Sequence, residues 1–258
     1  MNQTKQCALI TGASAGIGRE LAQVFAREGF SLVLTARNLE RLNQLAAELR
    51  PRHDMDVRVL SQDLSQPDAA QQIFDQLRDT PVDVLVNNAG FGSYGPFAQS
   101  DLTLQTDMMQ VNMVALVQLT RLFLEPMLQR RSGRILNLAS TAAFQPGPMV
   151  NVYYASKAFV YSFSYALADE LDGAGITVTA LCPGLTRTEF LARAHMNLHT
   201  GWAAMDPATV AEIGYRGLMR GQRVVIPGLL NRITSFLSRR MPPRLTSAVV
   251  RRIHSAEG

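Results

Sequence analysis

Lysine is nearly missing from this chain. Of its 25 basic residues only Lys5 and Lys157 are lysine, and the rest are arginine. Long apolar runs are missing as well. The N-terminal "MNQTKQCALITGAS" reaches four apolar residues in a row before polar and glycine positions, and no later stretch has the uninterrupted length of a membrane span. That pattern predicts a soluble, unexported protein. Cysteine stops at two, Cys7 and Cys182, too few and too far apart for a disulfide framework or a metal knuckle, which fits a reducing cytoplasm. The four histidines, His53, His195, His199 and His254, show no ligand spacing, so no catalytic metal is expected. Aromatic platforms beside the arginines and any nucleic-acid reading motif are also lacking, which argues against nucleic-acid binding.

What is present is apolar content, 47% of 258 residues, enough for the core of one large α/β domain. Short apolar runs alternate with longer helical patterns. The strand candidates are "CALI" (7–10), "SLVLTA" (31–36), "VRVLS" (57–61), "VDVLVN" (82–87), "RILNLA" (134–139), "ITVTALC" (176–182) and "RVVIP" (223–227). Helical stretches between them predict a doubly wound parallel sheet of about seven strands with helices on both faces, and a ligand at the carboxyl ends of the strands.

The first strand runs into "TGASAGIG" (11–18) and then into a helix with Ile17, Leu21, Val24 and Phe25 on one side. Gly12, Gly16 and Gly18 let the backbone turn tightly and approach a pyrophosphate, which the free N–H groups and the positive dipole end of a helix would hold. The spacing is G-x3-G-x-G, not the commoner G-x-G-x-x-G. Further along, "YYASK" (153–157) puts Tyr153 and the isolated lysine, Lys157, one helical turn apart. An ammonium about 5 Å from a phenol, at an effective dielectric of about 20, is worth roughly 3 kcal/mol, or about 2 pKa units downward. Lysine suits that task as a compact point charge on a flexible stem.

Taken in order, "TGASAGIG", "NNAG" from 87, Asn112 in a long helix, Ser140 at a strand end, "YYASK" and "PGLTRT" from 183 make the chain resemble the short-chain dehydrogenase/reductase family over roughly residues 5–230. The resemblance implies a Rossmann-type NADP-binding domain at 1–230, with residues 231–258 as a basic amphipathic helical extension packed on it. It also implies that Asn112, Ser140, Tyr153 and Lys157 are catalytic. Tyr153 would exchange the proton, Ser140 polarise the carbonyl, Lys157 hold the nicotinamide ribose and tune the phenol, and the backbone of Asn112 hold a relay water. The serine stands thirteen residues before Tyr153, the family's spacing. The cofactor contacts it implies are Gly12, Ser14, Ala15, Gly16, Ile17 and Gly18 at the turn, Asp63 and Leu64 at the adenine, and Asn88, Ala89 and Gly90 along the ribose. Pro183, Gly184, Thr186 and Thr188 would hold the carboxamide side, beside Tyr153 and Lys157.

The cofactor is read from "LTARN" at the end of the second strand. Ala36 brings no carboxylate, and Arg37 can pair with a 2′-phosphate, so NADP(H) is expected; the alternative is that Arg37 forms a surface pair with Glu40 or Glu28. The substrate wall is expected from Phe91, Ser140, Ala142, Phe144, Met149, Tyr154, Leu185, Phe190 and Leu191. Its apolar composition points to a small hydrophobic ketone and its secondary alcohol. A membrane-surface ketoacyl or steroid-type reductase, and a cofactor-binding sensor without turnover, remain as other readings. A homodimer or homotetramer in the cytoplasm is expected.

Charge is uneven. Residues 216–258 hold nine arginines against the single acid Glu257. Within them "LLNRITSFLSRR" (229–240) places Leu229, Leu230, Ile233, Phe236 and Leu237 on one helical side, Pro242 and Pro243 interrupt, and "RLTSAVVRRI" (244–253) resumes with Leu245, Ala248, Val249 and Ile253. Two short amphipathic helices are expected, with their stripes packed over residues 185–215, against a second subunit, or against an anionic partner such as a membrane surface.

Overall fold

A computed structural model of the chain describes residues 5–53, 55–194 and 204–255. Residues 195–203, with His195 and His199, and the side chains of His53, Arg193, Ile253, His254 and Ser255 lie outside the described set.

Seven strands form one parallel sheet: β1 Cys7–Thr11, β2 Ser31–Ala36, β3 Val57–Ser61, β4 Val84–Asn87, β5 Gly133–Leu138, β6 Ile176–Leu181 and β7 Val224–Val225. Their order in space is β3-β2-β1-β4-β5-β6-β7, so the winding reverses between β1 and β4. That reversal opens the crevice where a doubly wound sheet binds its ligand. The helices are α1 Gly16–Arg27, α2 Leu39–His53, α3 Ala69–Gln76, α4 Leu102–Met109, α5 Ala115–Arg130, α6 Asn151–Glu170, α7 Phe190–Arg193, α8 Pro207–Met219, α9 Leu229–Ser238 and α10 Pro243–Ser255.

The two-residue period of the strands divides the core. Ala8 and Ile10 of β1 face a cluster with Leu21, Phe25 and Leu45 from α1 and α2, whereas Cys7 and Leu9 face a second with Ile73, Leu119 and Phe123 from α3 and α5. Phe25 fixes the first cluster through edge-on contacts with Phe30 (5.1 Å) and Tyr215 (5.0 Å). Between the sheet and the second layer runs a buried polar ladder. Asn87 Nδ2 donates to Thr120 Oγ1 (3.0 Å) and Asn137 Oδ1 (2.9 Å), and Asn137 Nδ2 donates to Ser164 Oγ (2.9 Å). It ties β4, β5, α5 and α6 together below the site; stranding one such group would cost about 1–3 kcal/mol.

Residues 102–130 are continuously helical, with a π-helical turn, Gln110–Val114, between α4 and α5. Their length and mean hydropathy meet the criterion for a membrane span, but Leu116, Leu119, Phe123 and Met127 are packed in the core. The apolarity of this helix is that of a core helix.

Candidate active site

The glycine turn has the geometry its composition suggests. Gly12 and Gly16 have φ of 66° and 55°, the left-handed region that glycine enters without strain. A Cβ on Gly12 would lie 2.8 Å from Asn88 Nδ2, and one on Gly16 would lie 3.2 Å from Thr188 Cγ2. Gly18 has ordinary backbone angles, but a Cβ there would strike the Asn88 amide and the Gly12 carbonyl. Ala15 at the N-cap of α1 makes no side-chain cap and the first turn carries no acid. The N–H groups at this helix end are thus aimed at an anion, and Ser14 and Ile17 lie partly exposed in the same turn.

Arg37 follows β2 at the surface and enters no ion pair among the described residues, because Glu28 is taken by Arg27 (3.1 Å) and Glu40 accepts from Gln44. The alternative of a surface pair with Glu40 or Glu28 is therefore overturned. One turn on, Arg41 Nη1 reaches both carboxylate oxygens of Glu189 at 3.0 and 2.8 Å, joining α2 to the loop after β6 across the crevice. Sequence reasoning missed Arg41; its place one turn after Arg37 was the available signal. Asp63 Oδ1 accepts from the N–H (3.0 Å) and hydroxyl (2.9 Å) of Ser65, while the Leu64 side chain is buried in the core, leaving Leu64 only its backbone for an adenine.

Asn88 is a clamp on the glycine turn. Its Nδ2 donates to the Thr11 carbonyl (2.8 Å), and Thr11 Oγ1 accepts from the backbone of Asn88 (3.0 Å) and Ala89 (2.9 Å). Gly90 lies over Asn112 and Lys157, where a Cβ would sit 2.9 Å from Asn112 Oδ1 and 3.4 Å from Lys157 Nζ. On the other side, Thr186 Oγ1 donates to the Gly184 carbonyl (3.0 Å), the Pro183 carbonyl accepts from Thr141 N (2.9 Å), and Thr188 meets Gly16. The 183–188 loop and the glycine turn form two walls of one crevice. Their free amides, glycine backbone and unpaired Arg37 fit a dinucleotide carrying a phosphate.

Asn112, Ser140, Tyr153 and Lys157 come together at its inner end. Ser140 lies close enough to the Tyr153 phenol to lower its pKa, while its hydroxyl donates to the Pro183 carbonyl (3.4 Å). Ser140 Oγ also accepts from Ala142 N (3.1 Å), which holds the hydroxyl at the strand end. Lys157 is 4% exposed; its Nζ donates to the Leu138 carbonyl (2.7 Å) and stands 5.7 Å from the centre of the Tyr153 ring. The Asn112 side chain is fully occupied, accepting from Phe91 N (3.0 Å) and donating to Phe91 O and Ser156 Oγ (both 3.0 Å). Only its backbone is left to hold a water, and that backbone lies in the π-helical turn, where the regular ladder is interrupted. Ser156, which no sequence motif marked, donates to the Tyr153 carbonyl (2.7 Å) and so ties the asparagine to the tyrosine helix.

The electrostatics correct one expectation. Burial pushes the Tyr153 phenol up from its ordinary value, more than Ser140 brings it down. Desolvation also pulls the Lys157 ammonium down to about 8. In the chain alone, burial outweighs the downward pull expected from the lysine. Tyr153 is thereby neutral at pH 7, and Lys157 is mostly charged there.

On the substrate side Phe190 lies 5.1 Å from the Tyr153 ring, tilted by 48°, and Gly92 faces both. Phe91, Leu185 and Leu191 are partly exposed. Met149, at φ 71°, lines a neighbouring cavity of about 270 Å³ with Tyr94, Phe97 and Asn151. Two expected wall residues are placed otherwise: Ala142 is buried, and Phe144 packs edge-on against Tyr161 (5.0 Å) beneath the Arg239 guanidinium (4.0 Å). Tyr154 is partly exposed, its ring 6.1 Å from that of Tyr153 and against Gly147, and it lines a second cavity with Gln145 and Asn151. Burial lifts the Tyr154 phenol to about 12.

The family model for short chain dehydrogenases matches residues 6–198. The chain belongs to the short-chain dehydrogenase family. It is an oxidoreductase of that family. Among curated relatives it is 42% identical over 186 residues to sulfoacetaldehyde reductase 2 of Chromohalobacter salexigens, covering 70% of this chain and 73% of that one. It is 38% identical to mouse 17-beta-hydroxysteroid dehydrogenase type 3, over 69% of this chain and 59% of the relative. Among solved structures, a short-chain dehydrogenase from Sphingobium yanoikuyae in complex with NADPH superposes with a TM-score of 0.84 at 35% identity, covering 91% and 93% of the two chains. The bulky-bulky ketone specific alcohol dehydrogenase of Comamonas testosteroni gives 0.80 at 32% identity, covering 93% and 96%.

Proposed function

We propose that this short-chain dehydrogenase interconverts a hydrophobic ketone and its secondary alcohol with NADP(H). The observation that carries the reading is the Tyr153 phenol, with Ser140 close by, beside the buried Lys157 and against the Phe190 ring. Arg37, exposed beside Ala36, supports the choice of NADP(H), as does the NADPH held by the Sphingobium relative.

A bound dinucleotide supplies the hydride. The chain does the rest. Ser140 Oγ donates to the substrate carbonyl oxygen and localises the charge that grows there. Tyr153, neutral at pH 7, gives that oxygen its proton. Lys157 stabilises the phenolate left behind, and the Asn112 backbone holds the water through which the proton is replaced. Phe190 excludes bulk water and presents an apolar surface to the substrate.

The ketone specificity of the Comamonas relative supports a bulky apolar substrate, whereas the 42% identity to a sulfoacetaldehyde reductase favours a small anionic aldehyde as the second reading. A panel of bulky ketones, steroid ketones, oxoacyl thioesters and sulfoacetaldehyde, followed by NADPH absorbance, separates them. Tyr153→Phe is expected to abolish turnover and keep NADPH binding; Tyr154→Phe is expected to keep most activity. Turnover of sulfoacetaldehyde alone would sink the apolar reading. Exposed Leu104, Val114, Leu128, Phe159 and Tyr165 on α4, α5 and α6 support a homo-oligomer, tested by light scattering, and fractionation of cells tests the cytoplasmic location.

A further inference from the structure

The penultimate helix is amphipathic with its sides exchanged. Asn231, Ser235 and Ser238 of α9, about one turn apart, turn toward the body of the protein, and Arg232 Nε donates to the Ile226 carbonyl (3.0 Å). Asn231 Nδ2 donates to the Pro227 carbonyl (2.7 Å), Ser238 Oγ donates to Gln145 Oε1 (2.9 Å), and Ser235 is 3% exposed. The apolar residues point outward: Leu229 is 73% exposed and Phe236 54%, with Leu230, Ile233 and Leu237 beside them. In α10, Thr246 and Val250 are buried while Leu245 and Val249 are exposed. A monomer surface rarely keeps so many adjoining apolar side chains in water without a use for them.

We propose that this outward side of α9 and α10 is a docking surface for an anionic lipid bilayer. Charge selects the occupant. Arg232, Arg244, Arg251 and Arg252 are exposed on the same two helices and Arg240 on the link between them, and no Asp or Glu occurs from 213 to 256. A second copy seated symmetrically on this surface would press two such arginine sets together. Anionic headgroups neutralise them instead, each arginine strengthening adsorption about fivefold, while the apolar side chains enter the acyl boundary. The Arg240 guanidinium stacks 3.6 Å over the Phe236 ring, which keeps a positive charge directly beside the apolar side. Docking would also set the active site at the lipid. Through Ser238 and Arg239, α9 is fixed to Gln145 and Phe144, at the turn that follows Ser140.

The full chain is to be sedimented with vesicles of phosphatidylglycerol and phosphatidylcholine, and with phosphatidylcholine alone. An Ile233→Ser, Phe236→Ser double variant is run beside it. Both side chains are exposed, so the variant should fold, which circular dichroism and Tm check independently of any activity. Wild type is expected to sediment with the anionic vesicles only, the variant at least about tenfold more weakly, and both less at about 0.5 M salt. Wild type left in the supernatant, or bound equally to phosphatidylcholine, overturns the proposal. So does a variant that binds anionic vesicles as well as wild type, since the arginines would then act without the apolar side. Light scattering without lipid covers the remaining occupant: a wild-type dimer that the variant splits, with no vesicle binding, assigns the surface to a second copy.

Discussion

Replacing Lys157 by methionine should make the cofactor-free protein more stable at neutral pH, by an amount that vanishes as the solution becomes alkaline. Burial lowers the ammonium from 10.5 to about 8. At about 1.4 kcal/mol per unit, holding it charged in the fold costs about 3 kcal/mol, in full below about pH 8, where folded and unfolded chains are both protonated. Between about pH 8 and 10.5 the unfolded chain still binds the proton that the fold has lost, so the penalty fades as pH rises. Methionine removes the penalty but strands the Leu138 carbonyl, at a loss of about 1–3 kcal/mol. The variant should therefore be up to about 2 kcal/mol more stable near pH 7 and lose about 3 kcal/mol relative to wild type as pH rises through about 8 to 10.5. Cys7 and Cys182, lifted by burial to about 12, destabilise the fold as pH rises above about 9. They occur in both proteins and largely leave the difference. Urea unfolding at several pH values measures it. A gap that stays constant from about pH 7 to 10.5 refutes the reasoning, because it would mean that Lys157 is not held below its ordinary range.

Arg37→Ala should lower the preference of kcat/KM for NADPH over NADH by about 10- to 100-fold, the worth of one charge-assisted phosphate contact; a wild type that uses both cofactors equally would remove the basis for it. Gly18→Ala forces a methyl against the Asn88 amide and the Gly12 carbonyl and should destabilise by about 1–3 kcal/mol, read as a Tm fall of several degrees. Ser156→Ala should lower kcat while the Kd for NADPH stays unchanged, because it unties Asn112 from the tyrosine helix and leaves the glycine turn intact.

The sheet was legible because its strands are buried on both faces and read as short apolar runs between turn residues. β2 and β3 have their expected bounds, and other strands depart from theirs. "VDVLVN" is β4 only from Val84, although the Asp83 backbone already bonds to Cys7 O and Arg134 N (both 2.9 Å) and its carboxylate accepts from Cys7 N (2.8 Å). "RVVIP" shrinks to Val224–Val225, since Pro227 has no N–H to continue the ladder. Residue identity located the four groups at the inner end of the crevice, but not how each is held. The π-helical turn at Asn112 is a matter of hydrogen-bond register, which no residue type announces. The direction of Phe144 was equally silent, because apolar composition says that a ring is buried and not against what.

α9 shows where periodicity stops short of structure. The stripe of Leu229, Leu230, Ile233, Phe236 and Leu237 was plain in the sequence, and packing it inward rested on the assumption that the body of the protein offers an apolar partner there. It offers oxygens and amides instead: the Pro227 carbonyl and the Gln145 side chain. These hydrogen bonds, with those from Arg232 Nε to the Ile226 carbonyl (3.0 Å) and from Asn231 Nδ2 to Met205 Sδ (3.5 Å), are worth about 1 kcal/mol each at most. Five large apolar side chains left in water forgo about 1.5–3 kcal/mol apiece relative to burial. The outward stripe therefore outweighs the inward bonds, and its stabilisation has to come from whatever covers it. That imbalance makes the arginine-lined surface of α9 and α10 the part of the molecule most responsive to a partner.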